Sequence, residues 1–170
     1  AGIRITGTTG GLSLHFNTVN LDSGSFAGNG SGTLSAAIYI GAGATALDLR
    51  DNIFATNLVN TNAAGAKTYA VYSAAAPAAL SIIDYNDYIA TGTQGVLGFI
   101  SGSDMTSIAA WRTSTLQDLH SLSVDPGFVS STDLHLDTAG GVSPVQNAGF
   151  FLAGQPIDFD GDARHPSLPA

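Results

Sequence analysis

Chemistry in this chain has to come from aspartate, histidine, arginine and a single lysine, because the sequence contains no glutamate and no cysteine. Asp158-Phe159-Asp160-Gly161-Asp162 places carboxylates at alternate positions beside a turn glycine, the donor spacing of a calcium loop. Calcium is the one cofactor the sequence suggests, with Asp158, Asp160 and Asp162 as its candidate ligands. A full EF-hand loop would need a distal glutamate, so a turn stitched by aspartate to backbone and to Arg164 is the competing reading. His120 and His135 read as exposed or capping histidines rather than metal ligands. Asp118, His120 and Ser121 are hydrolase residue types, but a triad is defined by geometry and not by adjacency in sequence. No residue is assigned a catalytic role.

Composition narrows the function classes. The 170 residues carry 13 aspartates against five basic groups, a formal net charge of −8. Such a surface repels phosphate backbones, which excludes nucleic acid as a partner. No run of 18 apolar residues is present, so no membrane insertion is expected. Zero cysteine removes disulfide scaffolds and zinc–thiolate sites. Small residues (Gly, Ala, Ser, Thr and Asn) make up about half of the chain, yet 44% hydrophobic residues oppose disorder.

The residues above must be positioned by a repeat. Three segments align: Leu12 to Val19, Leu47 to Phe54 and Ser81 to Tyr88, sharing Asn17, Asn52 and Asn86 at spacings of 35 and 34. Ahead of each stands a short β-type run, Ile3-Arg4-Ile5, Ile38-Tyr39-Ile40 and Tyr69-Ala70-Val71-Tyr72, and Val96-Leu97-Gly98-Phe99-Ile100 adds another. Runs of three to five β-branched residues cut by glycine and asparagine are too short for helical repeats. Parallel stacking of short strands fits them. Asn17, Asn52 and Asn86 then form a structural corner, since asparagine tolerates left-handed backbone and can bond its counterparts above and below.

The pattern Leu47-x-Leu49-x-x-Asn52-x-Phe54 resembles the repeat unit of right-handed parallel β-helix proteins, the superfamily shared with pectate lyases. From about residue 80 the chain resembles the C-terminal part of large secreted bacterial surface proteins. The motifs are Asp84-Tyr85-Asn86-Asp87-Tyr88, Trp111, Asp118-Leu119-His120-Ser121, Asp125-Pro126-Gly127-Phe128-Val129, Asp133-Leu134-His135-Leu136, Ser143-Pro144-Val145, Asn147-Ala148-Gly149 and Asp158 to Arg164. The resemblance implies an all-β fold, a right-handed parallel β-helix (a single-stranded β-solenoid) of about four coils plus a C-terminal capping segment. Residues 1–110 would hold the coils, and 111–170 the last coil and cap of the same domain. It also implies a secreted or extracellular-surface location. The start at Gly2-Ile3-Arg4-Ile5 reads as a strand already under way. The ending Pro166-Ser167-Leu168-Pro169-Ala170 replaces the Ile-Gly-Ala-type tail of such proteins, so a segment of a longer polypeptide is expected.

Polysaccharide-cleaving members of that superfamily work on the outer face of their first strand stack or in its flanking loops. Here the outward positions are Arg4, Tyr39 and Tyr72, with no aspartate among them to form the paired carboxylates of glycoside hydrolysis. Tyr39 and Tyr72 could offer a sugar-stacking platform beside Arg4. In the second stack Ser13 aligns with Asp48, and His15 with Arg50 and Asp84, from which an Arg50–Asp84 salt bridge is expected. The favoured expectation is a non-catalytic interaction module, adhesin-like, contacting a polysaccharide or neighbouring subunits, with end-to-end homo-oligomers or a filament as the assembly. The rival is a polysaccharide lyase or glycoside hydrolase with its site partly outside this segment. An ice-binding surface would need threonine columns, and Thr6, Thr8, Thr9, Thr91 and Thr93 do not recur at the repeat period.

Overall fold

The computed structural model describes residues 1–8, 10–22, 25–27 and 34–164. Thr9, much of the loop between Asp22 and Gly32, and the tail from Pro166 to Ala170 lie outside the described residues. Among the described residues, short runs rich in aliphatic side chains build 13 short strands. They are β1 (Ile3–Ile5), β2 (Ser13–His15), β3 (Thr18–Leu21), β4 (Ser25–Phe26), β5 (Leu34–Ile40), β6 (Leu47–Arg50) and β7 (Ile53–Thr56). β8 (Val59–Asn60), β9 (Lys67–Ser73), β10 (Leu80–Asp84), β11 (Asp87–Ala90), β12 (Gly95–Ile100) and β13 (Ser103–Met105) follow, and then the helix α1 (Ile108–Thr115). The strands form four sheets, ordered β1-β5-β9-β12-β13, β10-β6-β2, β11-β7-β3 and β4-β8. Pairing is parallel throughout except between β12 and β13.

These findings correct the expectation of a plain all-β helix of about four coils. The strands lie in several small sheets, none of them closed, and the eight-residue helix gives the chain a mixed α/β character. The repeat gives way for local reasons. Ser101 and Gly102 both take left-handed backbone (φ 56° and 78°), the two-residue turn that folds β12 back on β13. Ser107 then caps α1, its side chain accepting from the Ala110 amide at 3.2 Å, and alanines carry the helix on. Beyond it, residues 116–164 run as turns and isolated bridges.

Register stacks apolar side chains in columns: Ile3, Ile38 and Val71; Leu14, Leu49 and Ile83; Val19, Phe54 and Tyr88. Gly98 continues the first column, and the Trp111 indole takes the space its missing side chain leaves; a Cβ there would stand 2.8 Å from Trp111 Cε3.

The corner before β3, β7 and β11 has its own device. The left-handed residues are Phe16, Asp51 and Tyr85 (φ 56°, 59° and 57°), each one place ahead of the asparagine rather than the asparagine itself. Asn17 and Asn52 each donate through Nδ2 to the carbonyl two residues back, His15 and Arg50, at 3.0 Å, bridging the strained residue. They also link along the column. Asn17 Nδ2 donates to Asn52 Oδ1 at 3.0 Å, and Asn52 Nδ2 donates to Asn86 Oδ1 at 2.9 Å. The ladder ends where the Asn86 amide donates to Ser121 Oγ at 2.7 Å.

Candidate functional site

Register sets Arg4, Tyr39, Tyr72 and Phe99 in one row on the outer face of the five-stranded sheet. Strand spacing lets planar side chains in such a row stack on one another. Tyr39 and Tyr72 lie 5.3 Å apart and 6° from parallel, Tyr72 and Phe99 4.4 Å apart and 3° from parallel. The Arg4 guanidinium sits 5.3 Å from the Tyr39 centroid. The ring faces are therefore largely spent on each other, and the row presents edges and hydroxyls outward. Phe99 was legible as the next step after Tyr72. Tyr69 stands beside the row, its hydroxyl donating to Asp104 Oδ1 at 3.0 Å while Lys67 pairs with the other oxygen. Burial first, and then the Asp104 bond, push the Tyr69 hydroxyl far above its ordinary range.

On the second sheet Arg50 pairs with a carboxylate on its own strand and not with Asp84 on the next. Arg50 holds Asp48 through two bonds, at 2.7 and 2.6 Å, and His15 Nε2 lies 3.1 Å from the same carboxylate. The Arg50 bond, followed by weaker help from His15, lowers the Asp48 pKa against the opposing effect of burial. Asp84 pairs instead with His120 at 2.7 Å, so the expected Arg50–Asp84 bridge is replaced. The reason is reach: side chains two apart on one strand share a face, and Asp48 is the nearer carboxylate.

The candidate calcium loop is engaged within itself. Asp158 Oδ1 accepts from the Asp160 and Asp162 amides at 3.0 and 2.8 Å, while Asp160 Oδ2 meets His135 Nε2 at 3.0 Å. Asp133, the nearer partner, is first among the causes that raise the His135 pKa. Among the described residues no three histidines or carboxylates are arranged to hold a metal ion.

Two further groups are assembled only by the fold. Asp118 is 1% exposed and collects the Trp111 indole N–H at 2.6 Å, the Tyr88 hydroxyl at 2.8 Å and the Ser121 hydroxyl. Burial raises its pKa, and those three donors oppose the rise. Asp51 and Asp87 line one cavity under the segment around residues 145–149. Burial is the leading cause in both and pushes each carboxyl up to about 6.

A raised carboxylate pKa works against stability as pH climbs. The native state keeps the Asp87 proton after the unfolded chain, with its value of 3.8, has released it. Stability therefore falls between pH about 4 and about 6 and levels off above. Asp87→Asn is expected to match the wild type near pH ~4 and to exceed it by about 1–3 kcal/mol near pH ~7, following 1.36 kcal/mol per pKa unit. Denaturant midpoints across that range check this, and a pH-independent difference would refute it.

Comparison with protein-family models, with curated proteins and with solved structures finds no match to this chain.

Proposed function

We propose that this chain is a non-catalytic interaction module that associates through the strand edges at one end of its sheets with a second copy of itself. The observation that carries this is the contrast between the two ends. At the far end the chain covers its own strands: the Leu122 amide donates to the Asn86 carbonyl at 2.7 Å, the Tyr88 amide to the Leu122 carbonyl at 3.0 Å, and the Asp118 amide to the Ile83 carbonyl at 3.1 Å. At the near end β1, β2 and β3 are the terminal strands of their sheets. Ile3, Leu14 and Val19 are only half-buried there, while Ile38, Leu49 and Phe54 in the same columns are 0–1% exposed. Phe159, 99% exposed, shares a groove of about 890 Å³ with Ile3 and Val19 and adds apolar surface to that end.

Among the described residues no further strand pairs with the outer edges of β1, β2 and β3, and such edges beside apolar side chains are templates for another strand. Because β10 and β11 are covered at the far end, a two-fold pair through the near end is the favoured self-complementary arrangement. The test is sedimentation equilibrium over a wide concentration range. A concentration-dependent dimer is expected, and Ile3→Lys combined with Val19→Lys should give a monomer with unchanged circular dichroism. A wild type that stays monomeric throughout would overturn the reading. A location outside the cell rests on the motif resemblance alone.

Glycan contact through Arg4, Tyr39 and Tyr72 is the second reading, favoured by the solvent-facing row of ring edges and hydroxyls; pull-down on insoluble polysaccharides tests it. Hydrolysis has in its favour only that Asp51 and Asp87 titrate in the range of a general acid. Release of reducing ends would establish it.

A further inference from the structure

The corner column and the segment folded over it enclose a cavity of about 230 Å³, whose wall includes Phe16, Asp51, Tyr85, Asp87, His120 and Arg164. This is below the roughly 300–1,000 Å³ of drug-sized sites, so one ring or one side chain is the scale of ligand it suits. Two carboxylates in the wall are each half satisfied. Asp51 Oδ1 accepts from the Phe150 amide, and Asp87 Oδ1 accepts from the Val124 amide at 3.0 Å. The Oδ2 atom of each is buried without a partner, and Asp87 is 3% exposed. A buried acceptor lacking a donor is costly, so a ligand bringing donors gains what the protein leaves unmade.

The remaining wall decides which donor. Tyr85 stacks on His120 with centroids 4.6 Å apart and lies 5.3 Å from Phe150. Carbon surface suits a carbon-bodied ligand. It does not suit a bare calcium ion, which takes six to eight oxygens. An ammonium group complements buried carboxylates by charge-assisted hydrogen bonds, and aromatic rings can take its body. Arg164, in the same wall, lies 3.7 Å from the Phe16 centroid and donates to the Ile157 carbonyl, Arg50 is held by Asp48, and both arginines act on Asp51 by charge without bonding to it.

We infer that this cavity binds a small organic ammonium ion, with Asp51 and Asp87 as its anionic anchors and the corner aromatics around its body. Phe16, Asp51, Ile53, Leu136 and Arg164 also line the near-end groove, so the titration is run at concentrations where the chain is monomeric. Both anchors are ionised at neutral pH and lose charge in mild acid. His15, Arg50 and Arg164 act on Asp51 from the side of ionisation, and Asp125 acts on Asp87 against it.

The test is an NMR titration of the whole chain with glucosamine, N-acetylglucosamine and n-butylamine. Saturable shifts with glucosamine at a Kd on the order of 1 mM are expected, with no response to the neutral N-acetyl sugar. Butylamine binding as tightly as glucosamine would assign the body to a simple alkyl chain, and weaker binding would assign it to a sugar ring. Asp87→Asn should weaken glucosamine at least about tenfold, as loss of one partner of a desolvated charge pair does. Wild-type affinity should fall at least about tenfold from pH ~7 to pH ~5 as the anchors protonate, a readout that stands if the variant fails to fold. Equal binding of the N-acetyl sugar, no saturable response to either amine, or an affinity indifferent to pH would overturn the assignment.

Discussion

Trp111→Ala is expected to destabilise the chain by about 3–5 kcal/mol, the range for deleting a buried aromatic side chain. Trp111 is fully buried and packs over Gly98 at the end of the Ile3, Ile38 and Val71 column. No other side chain on that column can fill the gap, because the glycine has none to offer. Truncation also takes one of three donors from Asp118. Trp111→Phe should separate the two effects, keeping most of the packing while losing the indole N–H. Urea denaturation measures both. A loss below about 1 kcal/mol for the alanine variant, within the range of ordinary surface changes, would mean that α1 is not the cover of that end.

Asn52→Asp should cost about 3–5 kcal/mol at neutral pH, as an uncompensated buried charge does. The substitution keeps size and shape but turns two donors into an anion. Asn52 Nδ2 serves the Leu14 carbonyl at 2.9 Å, the Arg50 carbonyl at 3.0 Å and Asn86 Oδ1 at 2.9 Å, all acceptors. Asn52 is 1% exposed, so water cannot replace what is lost. Asn52→Ala leaves bonds unmade but adds no charge, at about 1–3 kcal/mol for each buried group left bare. The new carboxyl would have a folded pKa above its unfolded value. Its penalty therefore grows as pH rises through that window and fades in acid. Denaturation of the two variants at pH ~4 and pH ~7 distinguishes them, because only the aspartate variant should recover stability in acid. Equal loss at both values would show that the corner does not discriminate charge.

Much of the local arrangement was legible. The asparagine spacing fixed which segments align, and β-branched runs of three to five residues ruled against helical repeats. The register of Arg4 with Tyr39 and Tyr72 followed from the same alignment. What misled was extending the repeat through the whole chain. Ser101-Gly102 is a two-residue turn signal, and Ser107 ahead of Ile108-Ala109-Ala110 is a helix start. Both were visible, but the strand pattern around them drew the reading toward another coil. The corner asparagines were given the left-handed backbone, whereas Phe16, Asp51 and Tyr85 hold it and the asparagines clamp it. Either assignment places asparagine at a bend, so sequence alone does not separate them.

The candidate sites divide along the same line. Spacing along the chain determined the aromatic row, the asparagine ladder and the position of the acidic turn at Asp158, because each depends on periodicity or on near neighbours. Tertiary structure alone decided which carboxylates are buried and what faces them. Asp87 meets the Val124 amide, and Asp51 meets the Phe150 amide 99 residues away. Desolvation depends on what packs over a group, and here the cover is a segment without regular strands whose path no periodicity encodes. The partner of Arg50 was likewise settled by side-chain reach, a few ångströms that choose Asp48 over Asp84.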